Sequence, residues 1–217
     1  MTTSGPTTGR GRPRGTSKRQ LELIAMRLFS EQGFDNTTVD QIAAAAGVSG
    51  RTFFRYFPTK AEVLWYQFDA EVTSLRADFA EVPDDEPMMT AVRRVVVNAN
   101  RYRAEDVPEL RTRMHLVSSV PALAATAGAH YDAWERAVSA FAARRLGEPE
   151  DGLIPLAVGR TTLAAARAAF DAWLARADAD LTVYLDRALA ALERGFATPT
   201  GVTDELPARF TGNPGGV

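Results

Sequence analysis

Cysteine is absent from the 217 residues, and histidine occurs only as His115 and His130. The first absence excludes disulfide frameworks, thiol nucleophiles and thiolate metal sites. The second leaves two imidazoles that cannot build a metal site without carboxylate help, so no metal and no cofactor is expected. No phosphate-loop or dinucleotide fingerprint occurs. Neither histidine has a recognisable catalytic partner, and an enzyme is disfavoured on that ground. No apolar run approaches the roughly 20 residues that a membrane span needs. No charged-then-apolar leader opens the chain, so it is expected to work in the cytoplasm, away from membranes.

What is present begins with hydrophobic residues at 46%, enough for a sizeable core. Net charge is −2, which taken alone argues against a nucleic-acid partner. Its distribution reverses that reading. Residues 1–60 hold nine Lys/Arg against four Asp/Glu, a net of +5, and the remainder holds 16 against 23, a net of −7. A basic head on an acidic body suggests DNA contact confined to one end. Residues 1–16 are rich in Gly, Pro and Thr and are expected to lack fixed structure. They carry Arg10, Arg12 and Arg14 around Gly11 and Pro13. Such an extended basic segment, which resembles an AT-hook core, can lie in a narrow A·T-rich minor groove. A tail making loose phosphate contacts fits the same residues.

The stretch Thr37–Lys60, TTVDQIAAAAGVSGRTFFRYFPTK, carries two short helical patterns separated by Gly47-Val48-Ser49. Thr38 with Gln41 is a capping box that starts a helix at Val39. Gly47 suits the left-handed position that ends it. Ser49 caps a second helix from Gly50 to Phe57, and Pro58 stops it. Two helices about a tight glycine turn make a helix-turn-helix. Phe53 and Phe57, four apart, face the core, while Arg51, Thr52 and Arg55 lie on the other side. Arg can read a guanine edge bidentately, and a Thr methyl can touch the thymine methyl. Flanking patterns complete a three-helix head. Ser17 and Gln20 cap a first helix to about Gln32, with Leu21, Ile24, Ala25, Leu28 and Phe29 as its buried stripe. A fourth helix runs from near Lys60 to about Ala80.

On these residues the chain resembles the TetR family of transcriptional repressors. Thr38, Ile42, Ala43, Ala46, Gly47, Val48, Ser49, Thr52, Tyr56, Phe57 and Lys60 all fall in register with the family signature. The resemblance implies that Thr38, Tyr56 and Lys60 clamp phosphates and that Gly50, Arg51, Thr52 and Arg55 face bases, with Ser49 at the start of their helix also counted among the DNA-binding residues. The family usually has tyrosine where this chain has Phe54, and that tyrosine bonds a phosphate; here Tyr56 offers a hydroxyl nearby.

The remainder reads as all-α, giving about nine helices in total. Its helices are expected at about 88–103, 108–119, 121–146, 153–177 and 179–196. The implied domains are a basic arm at 1–16, a helix-turn-helix domain at 17–64, a ligand-binding and dimerisation domain at 65–197, and a tail at 198–217. The resemblance implies a homodimer through the last two helices, binding a palindromic double-stranded operator as a repressor. It also implies a small-molecule effector held among Trp65, Phe68, Tyr102, Met114, His115, Tyr131, Trp134, Phe141 and Phe170. An aromatic row at helical spacing equally describes an ordinary core. Arg113, with Arg111, could hold an anionic head group or be a solvent charge. A narrower resemblance, carried by RTFFRYFPTK, the Trp65–Asp69 region and PELRTRMHLVSSVPAL, points to the regulators of mycofactocin gene clusters. It implies an acyl-CoA or similarly amphipathic acid as effector. The rival reading is a helical small-molecule-binding or adaptor protein without sequence-specific DNA binding.

Overall fold

Ser17 opens the first element of the computed structural model, which describes residues 17–176 and 178–195. Arg10, Arg12, Arg14 and the tail at 198–217 lie outside the described residues. The Ser17 side chain accepts from Gln20 N, and α1 runs over Lys18–Gln32 until Gly33, at φ 86°, turns the chain. α2 spans Val39–Ala45 and α3 spans Gly50–Tyr56. A 3-10 segment follows at Ala61–Trp65, and α4 occupies Tyr66–Ala80. Then come α5 (Met88–Ala99), α6 (Val107–Ser119), α7 (Pro121–Leu146), α8 (Leu153–Arg176) and α9 (Leu181–Glu193). Every regular element among the described residues is helical. The chain divides into two units, one ending at Tyr66 and the other beginning at Gln67.

In the first unit α1, α2 and α3 close over Leu21, Phe29, Ile42 and Phe53, all at most 2% exposed. Phe34 plugs this core with its ring 5.0 Å from that of Phe29. The buried stripe of α1 departs from the expected one. Ile24 and Leu28 are half-buried, while Glu22 and Met26 are buried in their place. Arg19 makes the buried carboxylate tolerable by donating to Glu22 Oε2 at 2.8 Å. The single helix expected from Lys60 also resolves differently. Ala61, Val63, Leu64 and Trp65 are all buried. This short stretch is covered on nearly every side, and it winds as a 3-10 turn leading into α4, a common form at a helix N-terminus.

In the second unit α4, α5, α7, α8 and α9 share one core that includes Val72, Val92, Phe141, Trp173 and Leu185. Phe79 of α4 stacks on Phe141 of α7, with centroids 4.6 Å apart and planes at 21°. Arg93 grips both oxygens of Asp186 at 2.8 Å and joins α5 to α9. α7 and α8 approach so closely that a Cβ on Gly159 would lie 2.2 Å from Ser139 Oγ and 2.7 Å from the Glu135 carbonyl. α5 ends at Ala99, four residues earlier than expected, where Asn100 Nδ2 donates back to Val96 O at 2.9 Å. α9 starts at Leu181 because Asp180 caps it. The surface between α8 and α9 is a shallow groove of Ala168, Ala172, Ala188 and Ala191, edged by Arg176 and Arg187.

Candidate functional site

The α2–α3 pair is held by local hydrogen bonds that its sequence dictates. Thr38 Oγ1 accepts from Gln41 N at 3.2 Å, and Gln41 Oε1 accepts from Thr38 N at 2.7 Å. Each thus satisfies a donor that the helix start leaves open. Thr38 is exposed but engaged in this box. Gly47, at φ 68°, takes the left-handed turn that a side chain would strain, and Val48 N closes it on Ala43 O at 2.9 Å. Ser49 Oγ accepts from Thr52 N at 3.2 Å and starts α3. A Cβ at Gly50 would stand 2.8 Å from Asp40 Oδ1, so the two helices meet at this glycine.

α3 has an inner and an outer face. Phe53 is fully buried and Phe57, just past the helix end, is 4% exposed. A helix turning ~100° per residue puts Arg51 and Arg55 on the side opposite Phe53, and both are exposed. Phe54 flanks them, 56% exposed and edge-on to Phe53 at 5.6 Å. The guanidinium of Arg55 lies 5.0 Å from the Tyr56 ring centroid and donates to its hydroxyl at 3.4 Å. Thr52 is half-buried, with its hydroxyl 3.1 Å from Ser49 Oγ. The outer face of α3 therefore presents two cations and an aromatic ring.

Lys60 is placed differently from the phosphate clamp that the sequence suggests. Its ammonium donates to Phe34 O at 2.6 Å and to Thr37 O at 2.8 Å, and it sits 4.0 Å from the Phe34 ring centroid. Lys60 thus ties the end of the head to the turn before α2. Sequence patterns gave no sign of this, because the partners are backbone carbonyls 26 and 23 residues away.

The second unit contains a cleft of about 430 Å³ between α6, α7 and α8. Three residues singled out in the sequence, Met114, Tyr131 and Phe170, line it together with Val117, Gly128, Arg167 and Asp171. Arg167 stands 5.2 Å from the Tyr131 ring centroid. Phe68 meets the same ring edge-on at 5.8 Å. Tyr131 has its phenol pKa raised, by burial first.

The other expected lining residues lie elsewhere. Trp65 is buried at 3% exposure in the 3-10 segment of the first unit. Trp134 and Phe141 are core residues, the latter stacked on Phe79. His115 is exposed, and its carbonyl accepts the hydroxyls of Ser118 and Ser119. Arg113 is buried and paired with Glu109 at 2.9 Å. Tyr102 lines a second cavity, and its hydroxyl donates to Glu71 at 3.3 Å. Burial, then the Glu71 charge, pushes its pKa up. Sequence reasoning missed Arg167, whose one signal is a lone charge in the alanine run of α8.

Comparisons with known proteins agree with this division. The family profile described as bacterial regulatory proteins, tetR family, matches residues 24–65. A second, described as the MftR C-terminal domain, matches residues 86–197. The chain is 31% identical over 195 residues to the HTH-type transcriptional regulator TcmR of Streptomyces glaucescens, covering 82% of this chain and 86% of that one. It is 29% identical over 186 residues to a regulator named for mycofactocin biosynthesis in Mycobacterium tuberculosis, covering 86% and 94%. Among solved structures it is similar to Thermus thermophilus FadR, a TetR-family repressor in complex with lauroyl-CoA. The TM-score is 0.54 at 25% identity, over 92% of this chain and 100% of that chain. These relatives are transcriptional regulators, not enzymes.

Proposed function

The chain belongs to the TetR family of bacterial transcriptional regulators, and from that premise we propose that it is a homodimeric repressor released from a near-palindromic operator by a small amphipathic effector. The observation that carries the reading is the outer face of α3. Arg51 and Arg55 stand exposed on a helix whose inner face is locked by Phe53. Arg51 reads a guanine edge, Thr52 and Phe54 flank it, and Gly50 lets α3 lie close to α2. Thr38 and Tyr56 face the DNA backbone, and the arm with Arg10, Arg12 and Arg14 follows an adjacent minor groove.

One such helix reads only a few base pairs. A two-fold dimer reads two half-sites, with recognition helices about 34–36 Å apart in successive major grooves. The alanine groove on α8 and α9 supports self-association there, because small residues let helices pack closely. The effector occupies the α6–α7–α8 cleft, where Met114, Tyr131 and Phe170 offer an apolar wall and Arg167 a cation at its edge. A long-chain acyl thioester fits that chemistry, and the similar Thermus regulator is in complex with lauroyl-CoA. Preferential binding of effector to the DNA-incompetent state lowers operator affinity by population shift. The site of action is the cytoplasm. No helix among the described residues is long and apolar enough to cross a membrane.

The test is a mobility-shift titration on the DNA upstream of the chain's own gene, repeated with lauroyl-CoA. Sequence-specific binding that lauroyl-CoA releases is the expected result. Absence of any sequence preference would overturn the operator reading. Specific binding indifferent to lauroyl-CoA would overturn the effector class alone.

A further inference from the structure

A second cavity, of about 320 Å³, lies one helical turn away from the cleft. Val107, Leu110 and Arg111 of α6 line it where Met114 and Val117 line the cleft. Trp173 of α8 lines it where Phe170 lines the cleft, and the two rings meet edge-on at 6.4 Å.

Arg111, like Arg167, stands over an aromatic ring. Arg93, Arg94, Arg103 and Arg113 are each paired with a carboxylate. Arg111 forms no ion pair among the described residues; its guanidinium lies 4.0 Å from the centroid of the Trp173 ring. That indole is itself 2% exposed and cannot swing away. A guanidinium stacked on an aromatic face keeps its in-plane N–H fork, which matches a carboxylate bidentately. Asp180 lines the same cavity. Its Oδ1 accepts from Thr182 N at 2.8 Å and caps α9, and a carboxylate has further lone pairs to offer a donor. Val107, Leu110, Trp173 and Leu181 supply apolar wall. Asn100 and Tyr102 are its other polar residues, and polar groups of opposite sign set between apolar walls can orient a small molecule.

We propose that this cavity binds a small hydroxylated aromatic acid, with its carboxylate on Arg111, its ring against the apolar wall of Val107 and Leu110 and its hydroxyl donating to Asp180. The volume suits one substituted ring, being about double the ~150 Å³ of a cavity that holds benzene. Tyr102, kept neutral at the wall, adds no negative charge to repel the acid. The site is independent of the acyl effector: its ligand is short, and its anchoring cation is Arg111, not Arg167.

The experiment titrates the full chain calorimetrically with 4-hydroxybenzoate, benzoate and 4-hydroxybenzamide. The hydroxy acid should bind at least about 10-fold more tightly than its amide, since a charge-assisted pair is about twice as strong as a neutral one. Arg111→Gln should abolish that difference, and Arg111→Lys should lose part of it, because an ammonium lacks the fork. Asp180→Asn, which remains a good helix cap, should weaken the preference for 4-hydroxybenzoate over benzoate, because a neutral amide replaces the charge-assisted acceptor. Arg167→Gln should change neither. Equal binding of acid and amide, no binding at millimolar ligand, or loss on Arg167→Gln but not on Arg111→Gln would each overturn the site. Melting curves of all variants check folding; if Arg111→Gln does not fold, the acid–amide comparison and Arg111→Lys decide. Operator binding, measured separately by mobility shift, can fail or succeed without bearing on these titrations.

Discussion

Phe54 lies edge-on to Phe53 beside two exposed arginines, and it has no hydroxyl to give a phosphate. Phe54→Tyr should therefore tighten operator binding by about 1 kcal/mol, the net worth of one hydrogen bond. The salt dependence should stay the same, since no counterion is released by a neutral group. Fluorescence anisotropy at several salt concentrations would show both. Arg51→Ala should cost ~1–3 kcal/mol on the operator and relax preference at one base pair, a loss that substituted operators would locate. Lys60 belongs to a different kind of residue. Its ammonium is committed to Phe34 O and Thr37 O, so Lys60→Met should destabilise the first unit by about 1–2 kcal/mol. Chemical denaturation measures that directly; an unchanged midpoint with weakened DNA binding would return Lys60 to the phosphate. Tyr102 sets a limit at high pH. Burial first, then Glu71, raises its pKa above the ordinary value of about 10. The fold favours the neutral phenol, so its contribution is complete below pH ~10 and declines as pH rises further. Tyr102→Phe should flatten that decline in denaturation midpoints followed from pH 8 to 11.

Among the helices, those with a polar cap or a glycine stop were legible in the sequence. Ser17, Thr38 and Ser49 start α1, α2 and α3 where their side chains accept a backbone N–H. Pro121 and Gly147 bound α7. Ends set by tertiary burial were not legible. The 3-10 segment at Ala61–Trp65 lies in a stretch buried on nearly every side; α5 stops instead at a local bond, Asn100 Nδ2 to Val96 O, which no cap or glycine pattern announces. The same division holds for the two sites. The outer face of α3 could be read from the i, i+4 pair Phe53 and Phe57. The cleft could be read only in part, because periodicity treats Tyr131 and Phe141 alike, although one lines the cleft and the other stacks in the core. Two glycines in these helices make the role of packing measurable. Gly159→Ala would drive a methyl into Ser139 Oγ and the Glu135 carbonyl, and should cost about 1–3 kcal/mol as overpacking. Gly128→Ala meets nothing within 4 Å and should stabilise α7 by roughly 0.5–1 kcal/mol. Their melting temperatures should move in opposite directions.

At the scale of the whole molecule, charge and helix surface separate the tasks. Residues 1–60 carry +5 and the rest −7, so attraction to DNA is concentrated in the head and screened by salt. The alanine groove of α8 and α9 lies away from that positive end in sequence and suits a second copy of the chain. Ala168→Arg would put a long cation on its exposed rim. Sedimentation should then show monomer, and operator affinity should fall to that of a single half-site. The Lys60 tie also defines how little of the chain can stand as a head. A fragment cut after Pro58 would contain all three helices of the helix-turn-helix fold. It would still lack the ammonium that closes Phe34 and Thr37, and the buried side chains of Ala61, Val63, Leu64 and Trp65. The smallest autonomous DNA-binding fragment therefore has to extend past the recognition helix, through Trp65.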